Sequence, residues 1–427
     1  MLDILSSFEL KTSPRLAARL AGRTGIDFAD SVSRIVNAVR TRGDTAVLEF
    51  TAQFDGGSFS ANALRVDPRS IETAAIPPQA TVAMQRAIKR IEAFHRQERG
   101  NDWWTVSQDG ALLGQRMQPL DSVGVYIPGG KAPYASSLLM NVIPARIAGV
   151  RRIVAVTPPG TDGVIDPSIL VSARLCGIDE MYRIGGAQAI AALAFGTASI
   201  PKVAKIVGPG NAYVTEAKRL VYGDVGIDTL AGPSEIAILA DQTADPRLVA
   251  ADLIAQAEHD DDALVLLATT QPALVGATIR EIKKQLENLD RAATIQAALA
   301  SSIALVAETL EQAVDCINDF APEHLQLFVA DPLGLVAKIG SAGVILCGAY
   351  SPAAICDYGI GPNHILPTGG AGRFASALGV NDFLRRVSVI SASREAFASV
   401  APDAIALAEL EGLTGHAAAL QLRLEVS

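Results

Sequence analysis

Val123-Gly-Val-Tyr-Ile127 runs directly into Pro128-Gly129-Gly130 and then into a helical stretch from Ser136 to Ile147. A β-branched run, a glycine turn and a helix thus follow one another within 25 residues. The same phrase returns three times. Ile153–Val156 leads to Pro158-Pro159 and a helix over Pro167–Leu175. Tyr182–Ile184 leads to Gly185-Gly186 and a helix through Ala194, and Val203–Val207 leads to Gly208-Pro209-Gly210 and a helix over Ala212–Leu220. Short apolar strands alternating with helices are the signature of βαβ units and a parallel sheet. A second series follows, with strands at Ile236–Leu239, Ala263–Leu267, Ile303–Val306, Leu325–Val329 and Val344–Cys347. The fold class is therefore α/β, and two parallel layers fit this length better than one very wide sheet. The glycine connections fall at strand carboxyl ends, the edge where such sheets place ligands.

Around this centre the texture is helical. From Phe28 to Phe54 apolar residues recur at three and four, and a second helix spans about Gln79 to Arg99, so the first hundred residues read as helical. After Arg386 a short strand, Val387–Ile390, precedes an alanine-rich stretch from Ala396 to Leu422. That stretch carries Glu411 and His416 but little core of its own, which suggests an arm docked on a partner subunit.

At 427 residues the chain exceeds one ordinary core. With 49% hydrophobic and 19% charged residues it is a buried globular protein, not a disordered one. A net charge of −9 without any basic run argues against nucleic acid and anionic membranes as partners. No stretch approaches the roughly 20 apolar residues of a membrane span. Met1-Leu-Asp-Ile-Leu-Ser6 lacks the pattern of a secretory signal. The four cysteines, Cys176, Cys316, Cys347 and Cys356, form no Cys-x-x-Cys pair. A structural zinc ribbon is not supported, and a reducing, cytoplasmic location is expected.

Chemistry is concentrated in a few polar clusters. Four of the five histidines stand beside Glu, Gln or Asp: Gln256-Ala-Glu-His259, Glu323-His324, Asp357 to His364, and Glu411 to His416. Metal binding and proton transfer are what imidazole does near neutral pH. Each alone is as readily a satisfied structural histidine; four together are harder to dismiss. His95, at the edge of an apolar helical stripe, reads as structural. Gln256 and His259 are three apart near a helix end and share a face, where both could meet zinc. A glutamine oxygen is an unusual ligand, so this pair is weak by itself. Glu323 and His324 are adjacent and diverge, so they are expected to serve two separate proton transfers rather than form a dyad. In isolation a plain helix-to-strand connection is the better reading of that segment. No Gly-x-Gly-x-x-Gly opens a helix. Gly208-Pro-Gly-Asn211, Gly129-Gly130-Lys131 and Gly185-Gly186-Ala-Gln188 nevertheless follow strands of one series, where backbone N–H groups could meet a phosphate.

Read together, seven strings resemble histidinol dehydrogenase. They are Gly124-Val-Tyr-Ile-Pro-Gly-Gly130, Gly208-Pro-Gly-Asn-Ala-Tyr-Val-Thr-Glu-Ala-Lys218, Ala231-Gly-Pro-Ser-Glu235, Gln256-Ala-Glu-His-Asp260, Ala321-Pro-Glu-His-Leu325, Gly361-Pro-Asn-His-Ile-Leu-Pro-Thr368 and Glu411-Gly-Leu-Thr-Gly-His416. The resemblance implies oxidation of L-histidinol to L-histidine in two NAD-linked steps through an aldehyde. It implies one zinc per subunit on Gln256, His259, Asp357 and His416. His324 would be the base for the alcohol and Glu323 the base that activates water. Ser234, His364 and Glu411 would line the substrate pocket beside those groups, and Tyr126, Gln188 and Asn211 would contact NAD. It further implies a homodimer whose C-terminal arms exchange. The division expected is a helical segment over 1–25, one incomplete Rossmann-like unit from 26–125 plus 236–381, a second over 126–235, and an arm over 382–427.

This chain departs from the family pattern at four places. Ala353 stands where an acidic residue is usual, Cys356 where glycine is, Gln326 where Glu is, and Gly415 where Ala is. None removes a proposed ligand or base. They leave open a related dehydrogenase of another small alcohol. A zinc hydrolase using Glu323, or a silent binding protein, is a more distant alternative.

Overall fold

The computed structural model describes residues 3–6, 26–56, 59–129 and 133–426. Fourteen strands form three sheets among them. The helices used below are α1 (Ile26–Arg42), α2 (Asp44–Phe54), α3 (Pro78–His95), α4 (Ala135–Ala148), α5 (Pro167–Leu175), α6 (Gly186–Phe195), α7 (Ala212–Val221), α8 (Pro246–Ala257), α9 (Pro272–Leu286), α10 (Ala292–Ala300), α11 (Leu310–Phe320), α12 (Ala353–Asp357), α13 (Arg394–Leu410) and α14 (Thr414–Glu425).

The first parallel sheet holds β4 (Ser122–Tyr126), β5 (Arg152–Thr157), β6 (Met181–Arg183), β7 (Lys205–Val207) and β8 (Gly226–Ile227), in the order β6-β5-β4-β7-β8. The second holds β9 (Glu235–Ala240), β10 (Leu264–Thr269), β11 (Ile303–Val306), β12 (His324–Phe328) and β13 (Val344–Cys347), with β1 (Asp3–Ser6) at one edge. Its order is β1-β11-β10-β9-β12-β13. In both, the chain winds outward from a central strand, returns to that strand's other side and continues. This is a doubly wound order cut short, as an incomplete Rossmann-like unit requires. The strands are continuous apolar runs because helices cover both faces; all six residues of β9 are buried. Several helices begin with an acid and a proline: Asp166 caps α5 and Asp245 caps α8, each followed by Pro at the first turn.

Several expectations need correction. Residues 3–6, expected in a helical segment, are instead an edge strand paired with β11; the rest of that segment, 7–25, lies outside the described residues. The single helical run from Phe28 to Phe54 is two helices, broken at Gly43, whose φ of 55° an ordinary helix cannot hold. The division of units also shifts. α1 and α2 pack on the five-stranded sheet, with Val32, Val36 and Val47 in one core with Val154, Ile190 and Val214. Residues 365–383 join the opposite face of that sheet through Ile365, Leu378 and Phe383. α1, α2 and residues 365–381 were expected with the other unit, and Phe383 with the arm. Each fully buried Val, Leu or Ile in these layers contributes about 1.5–3 kcal/mol, so the apolar faces decide where the segments lie.

A third, antiparallel sheet went unread apart from its last strand. β2 (Trp103–Val106) and β14 (Leu384–Ser391) flank β3 (Leu112–Pro119). The short strand expected at Val387–Ile390 is the middle of β14. α13 and α14 follow it and pack on each other.

Candidate active site

Val123 lies opposite Lys205 in register, and His324 lies opposite both Ile236 and Val344. The two sheets face each other with opposite ends. The five-stranded sheet turns its carboxyl edge to the cleft, as expected. The six-stranded sheet turns its amino edge there, against the usual rule for such folds, because Ser234, Glu323 and His324 all stand at strand starts. Loop 228–234 crosses directly between the sheets.

Ala321 is the only non-glycine residue with positive φ among the described residues. It ends α11 and turns the chain so that Pro322-Glu323 leads straight into β12. Such a conformation costs on the order of 1–3 kcal/mol and persists where the surroundings fix it. Gly343 accommodates the turn: a Cβ there would lie 2.5 Å from the Glu323 carbonyl oxygen.

Glu323 and His324 were expected to diverge. Instead they converge on the backbone of one residue, Glu235. Glu323 Oε2 accepts from the Glu235 N–H at 2.8 Å, and His324 Nδ1 lies 3.2 Å from the Glu235 carbonyl. The two side chains approach to 3.6 Å. A carbonyl only accepts, so Nδ1 carries the proton and Nε2 keeps its lone pair when the ring is neutral. That Nε2 is buried without a hydrogen-bond partner, 3.7 Å from Asp357 Oδ1. Burial works against charge on this ring, but the carboxylates of Glu323 and Asp357 outweigh it and lift the imidazole to about 10.

Asp357 ends α12, and its Oδ2 lies 3.9 Å from His259 Nε2 at the end of α8. Burial opposes its charge, yet His324, His364 and His259 together hold the carboxyl below its ordinary value. The Asp357 carbonyl also lies 2.9 Å from His364 Nδ1, and the enclosing protein holds that imidazole below its usual value. Asn363 fixes this loop by donating to the Met140 carbonyl at 2.7 Å.

His259 and Asp357 approach where α12 packs on α8, the helix that carries Gln256. The Gln256 side chain is buried and its amide nitrogen has no acceptor. The amide has room to offer a cation its oxygen, since its orientation is set only by partners. Imidazole nitrogen and carboxylate oxygen suit zinc. These residues therefore fit part of a zinc set. Among the described residues, no three His, Cys, Asp or Glu side chains group closely enough to hold a metal alone. His416 and Glu411 are exposed on the arm, and no hydrogen bond or ion pair joins them to this cluster. A single chain thus links His259, Glu323, His324, Asp357 and His364, with Ser234 in the same cleft, and leaves His416 and Glu411 outside.

Ser234, Glu323 and His364 line one cleft with Gly208, Thr368 and Lys218. On the cofactor side, the expectation of open glycine turns is corrected. Gly185 N–H donates to Asp55 Oδ2 at 3.1 Å, and Gly186 N–H donates to the Tyr126 hydroxyl at 3.1 Å. Gln188 Nε2 donates to the same Asp55 at 3.3 Å. The amino end of α6 already holds a carboxylate of its own chain, which occupies the anion position. Burial lifts the Asp55 carboxyl, and it pushes the Tyr126 hydroxyl up to about 12. Gly208 N–H likewise goes to Asp228 Oδ2 at 2.7 Å. Asn211 is exposed and caps α7 through the Val214 N–H. Gly130 and Lys131 lie outside the described residues. Asp55 carried no signal in the sequence. Lys218 and Asp228 did in part: a lysine on the apolar stripe of Val214, Ala217 and Val221 is out of place.

Two of the departures, Ala353 and Cys356, lie on α12 with Asp357. Cys356 is 1% exposed in a core with Val249, Ala250 and Leu253, and burial pushes its thiol up to about 12. It behaves as a small buried side chain. His95 is buried with Nδ1 2.8 Å from Glu98. Asp252 lies one turn before Gln256 on α8, and burial lifts its carboxyl to about 6. An unfolded aspartate titrates near 4, so the folded state binds this proton more tightly. Stability from this group is fully present below about pH 4 and is lost as pH rises through about 6. The gain in Tm of Asp252→Asn over the parent is expected to grow from pH 4 to pH 7; a difference constant with pH would refute this.

Comparison with known proteins agrees with this layout. The family model described as histidinol dehydrogenase matches residues 21–424. A histidinol dehydrogenase from Synechococcus sp. is 50% identical over 396 residues, covering 92% of this chain and 91% of that protein. One from Gluconobacter oxydans is 47% identical over 413 residues, covering 96% and 95%. The crystal structure of histidinol dehydrogenase from Elizabethkingia anophelis superposes with a TM-score of 0.90 at 36% identity, covering 93% of this chain and 92% of its own. The chain therefore belongs to the histidinol dehydrogenase family of oxidoreductases.

Proposed function

We propose that this enzyme oxidises L-histidinol to L-histidine in two successive NAD-linked steps, with zinc bound at Gln256, His259 and Asp357 and completed by His416 of a second copy. The observation that carries the reading is the His324 ring. One nitrogen is fixed by the Glu235 carbonyl, and the other is bare and aimed at Asp357. When bound, zinc fixes the substrate's amine and imidazole nitrogens, and NAD is the hydride acceptor of both oxidations.

The chain's own residues do the rest. His324 Nε2 takes the hydroxyl proton as the first hydride leaves. A cation on Asp357 removes the pull that this carboxylate exerts on the imidazole, which favours the neutral, basic ring. Glu323 draws a proton from water as it adds to the aldehyde carbon, before the second hydride leaves. Ser234, His364 and the arm residue Glu411 bind the substrate around them. Tyr126, Gln188 and Asn211 contact NAD; they stand at the carboxyl edge of the five-stranded sheet, where parallel sheets take nucleotides.

The enzyme is a homodimer with exchanged arms. In one chain the arm leaves Leu407, Leu410 and Leu422 exposed, Leu410 at 82%, and the antiparallel sheet leaves Trp103 and Trp104 half exposed. Apolar area of this kind marks an interface. It works in the cytoplasm, in histidine biosynthesis, in keeping with four cysteines that form no Cys-x-x-Cys pair. No helix among the described residues is long and apolar enough to cross a membrane.

NADH absorbance with L-histidinol tests the whole reading. Two NADH per histidinol are expected, abolished by a chelator and restored by zinc. No NADH from histidinol, with turnover of another small alcohol, would replace the substrate.

A further inference from the structure

Lys218 is 2% exposed and Asp228 3%, and the two form an ion pair at the cleft. Lys218 Nζ also donates to the carbonyl of Gly208 at 2.8 Å and to that of Thr229 at 3.4 Å. Asp228 Oδ2 takes the Gly208 N–H. Both polar groups of one glycine are therefore held by one buried pair. That glycine has φ of 114°, and a Cβ on it would lie 2.1 Å from the Tyr126 carbonyl oxygen, so its backbone has little freedom to adjust. One turn earlier on α7, Thr215 donates to the Ala231 carbonyl at 3.0 Å. Across the loop, Gly232 N–H donates to Thr368 Oγ1 at 2.5 Å.

We propose that Lys218 and Asp228 are positioning residues that lock the Gly208 turn on the cofactor side to loop 229–234 on the substrate side. The inference rests on the reading of the cleft given above. An ammonium can donate to the Gly208 and Thr229 carbonyls while its charge pairs with Asp228. A neutral side chain of similar length offers at most two donors. A buried lysine is tolerated only when paired, which accounts for the aspartate. The work of Lys218 is geometric. Gly208 and Ser234 line the same cleft, so the clamp fixes the distance across which hydride must pass. Misplacement by about 1 Å costs such a reaction about a hundredfold.

The test compares the parent with Lys218→Met and with the Lys218→Met, Asp228→Asn double variant. The double variant leaves no unpaired charge and keeps an acceptor for Gly208 N–H. Hydrogen exchange is followed in segments 205–212 and 226–234 of the full-length zinc enzyme, without cofactor or substrate. Exchange in both segments is expected to accelerate together, with zinc content retained. KM for NAD and KM for histidinol should each rise about tenfold, and kcat/KM should fall about a hundredfold. Acceleration in one segment alone, or a lowered Tm with both KM values unchanged, overturns the proposal. If the parent makes no NADH from histidinol, the catalytic reading fails, and the exchange result still decides the clamp.

Discussion

His416→Ala is expected to leave the fold intact, weaken zinc binding by at least about a hundredfold and abolish turnover. Even outer residues around a metal are worth about 10–100-fold in affinity, and a direct ligand stands at the top of that range or above it. In its own chain His416 is exposed on α14, tied in only by its backbone N–H, which donates to the Leu413 carbonyl at 3.0 Å. Its removal should therefore change stability by no more than about 0.5 kcal/mol. A residue that is idle in its own chain yet essential for metal has to act elsewhere. Metal analysis after dialysis, beside a thermal melt, checks both halves. Full zinc and full activity in the variant would remove His416 from the ligand set.

Glu323→Gln should slow the aldehyde step by about 10²–10⁴, the usual weight of a general base, while slowing the alcohol step much less. The substitution is mild for the fold. An amide oxygen can still accept the Glu235 N–H that Glu323 holds at 2.8 Å, so His324 keeps its place. What is lost is the capacity to take a proton from water. Single-turnover rates with histidinol and with histidinaldehyde separate the two steps. Equal slowing of both would mean that Glu323 serves His324 or the fold, not the water.

The parts of this fold that were legible are those whose signal is local. Strands β9, β11 and β13 are continuous apolar runs because helices cover both faces, and a run bounded by glycine or proline is readable by itself. β2 and β3 gave no such signal. Trp103 and Trp104 are half exposed, and Gln115, Arg116 and Gln118 interrupt β3. β3 is a strand because β14, some 270 residues later, pairs with it. β1 likewise exists through β11. The site divides in the same way. The histidine clusters were visible as clusters, but spacing could not show that Glu323 and His324 both bond the backbone of Glu235. Nor could it show that Asp55 fills the glycine turn beside Gln188. Both depend on contacts between segments far apart in sequence. Lys218 was the intermediate case, a charge on an apolar stripe whose partner lay ten residues away.

If each site is closed by a second chain, two differently disabled copies should complement each other. Asp357→Asn disables the part of the site that lies in the body of the chain, and His416→Ala disables the arm. Mixed and allowed to exchange subunits, two inactive proteins should regain about one quarter of parental activity, since half of the dimers are mixed and each has one intact site. No recovery, with mixed dimers shown to be present, would contradict an arm shared between subunits.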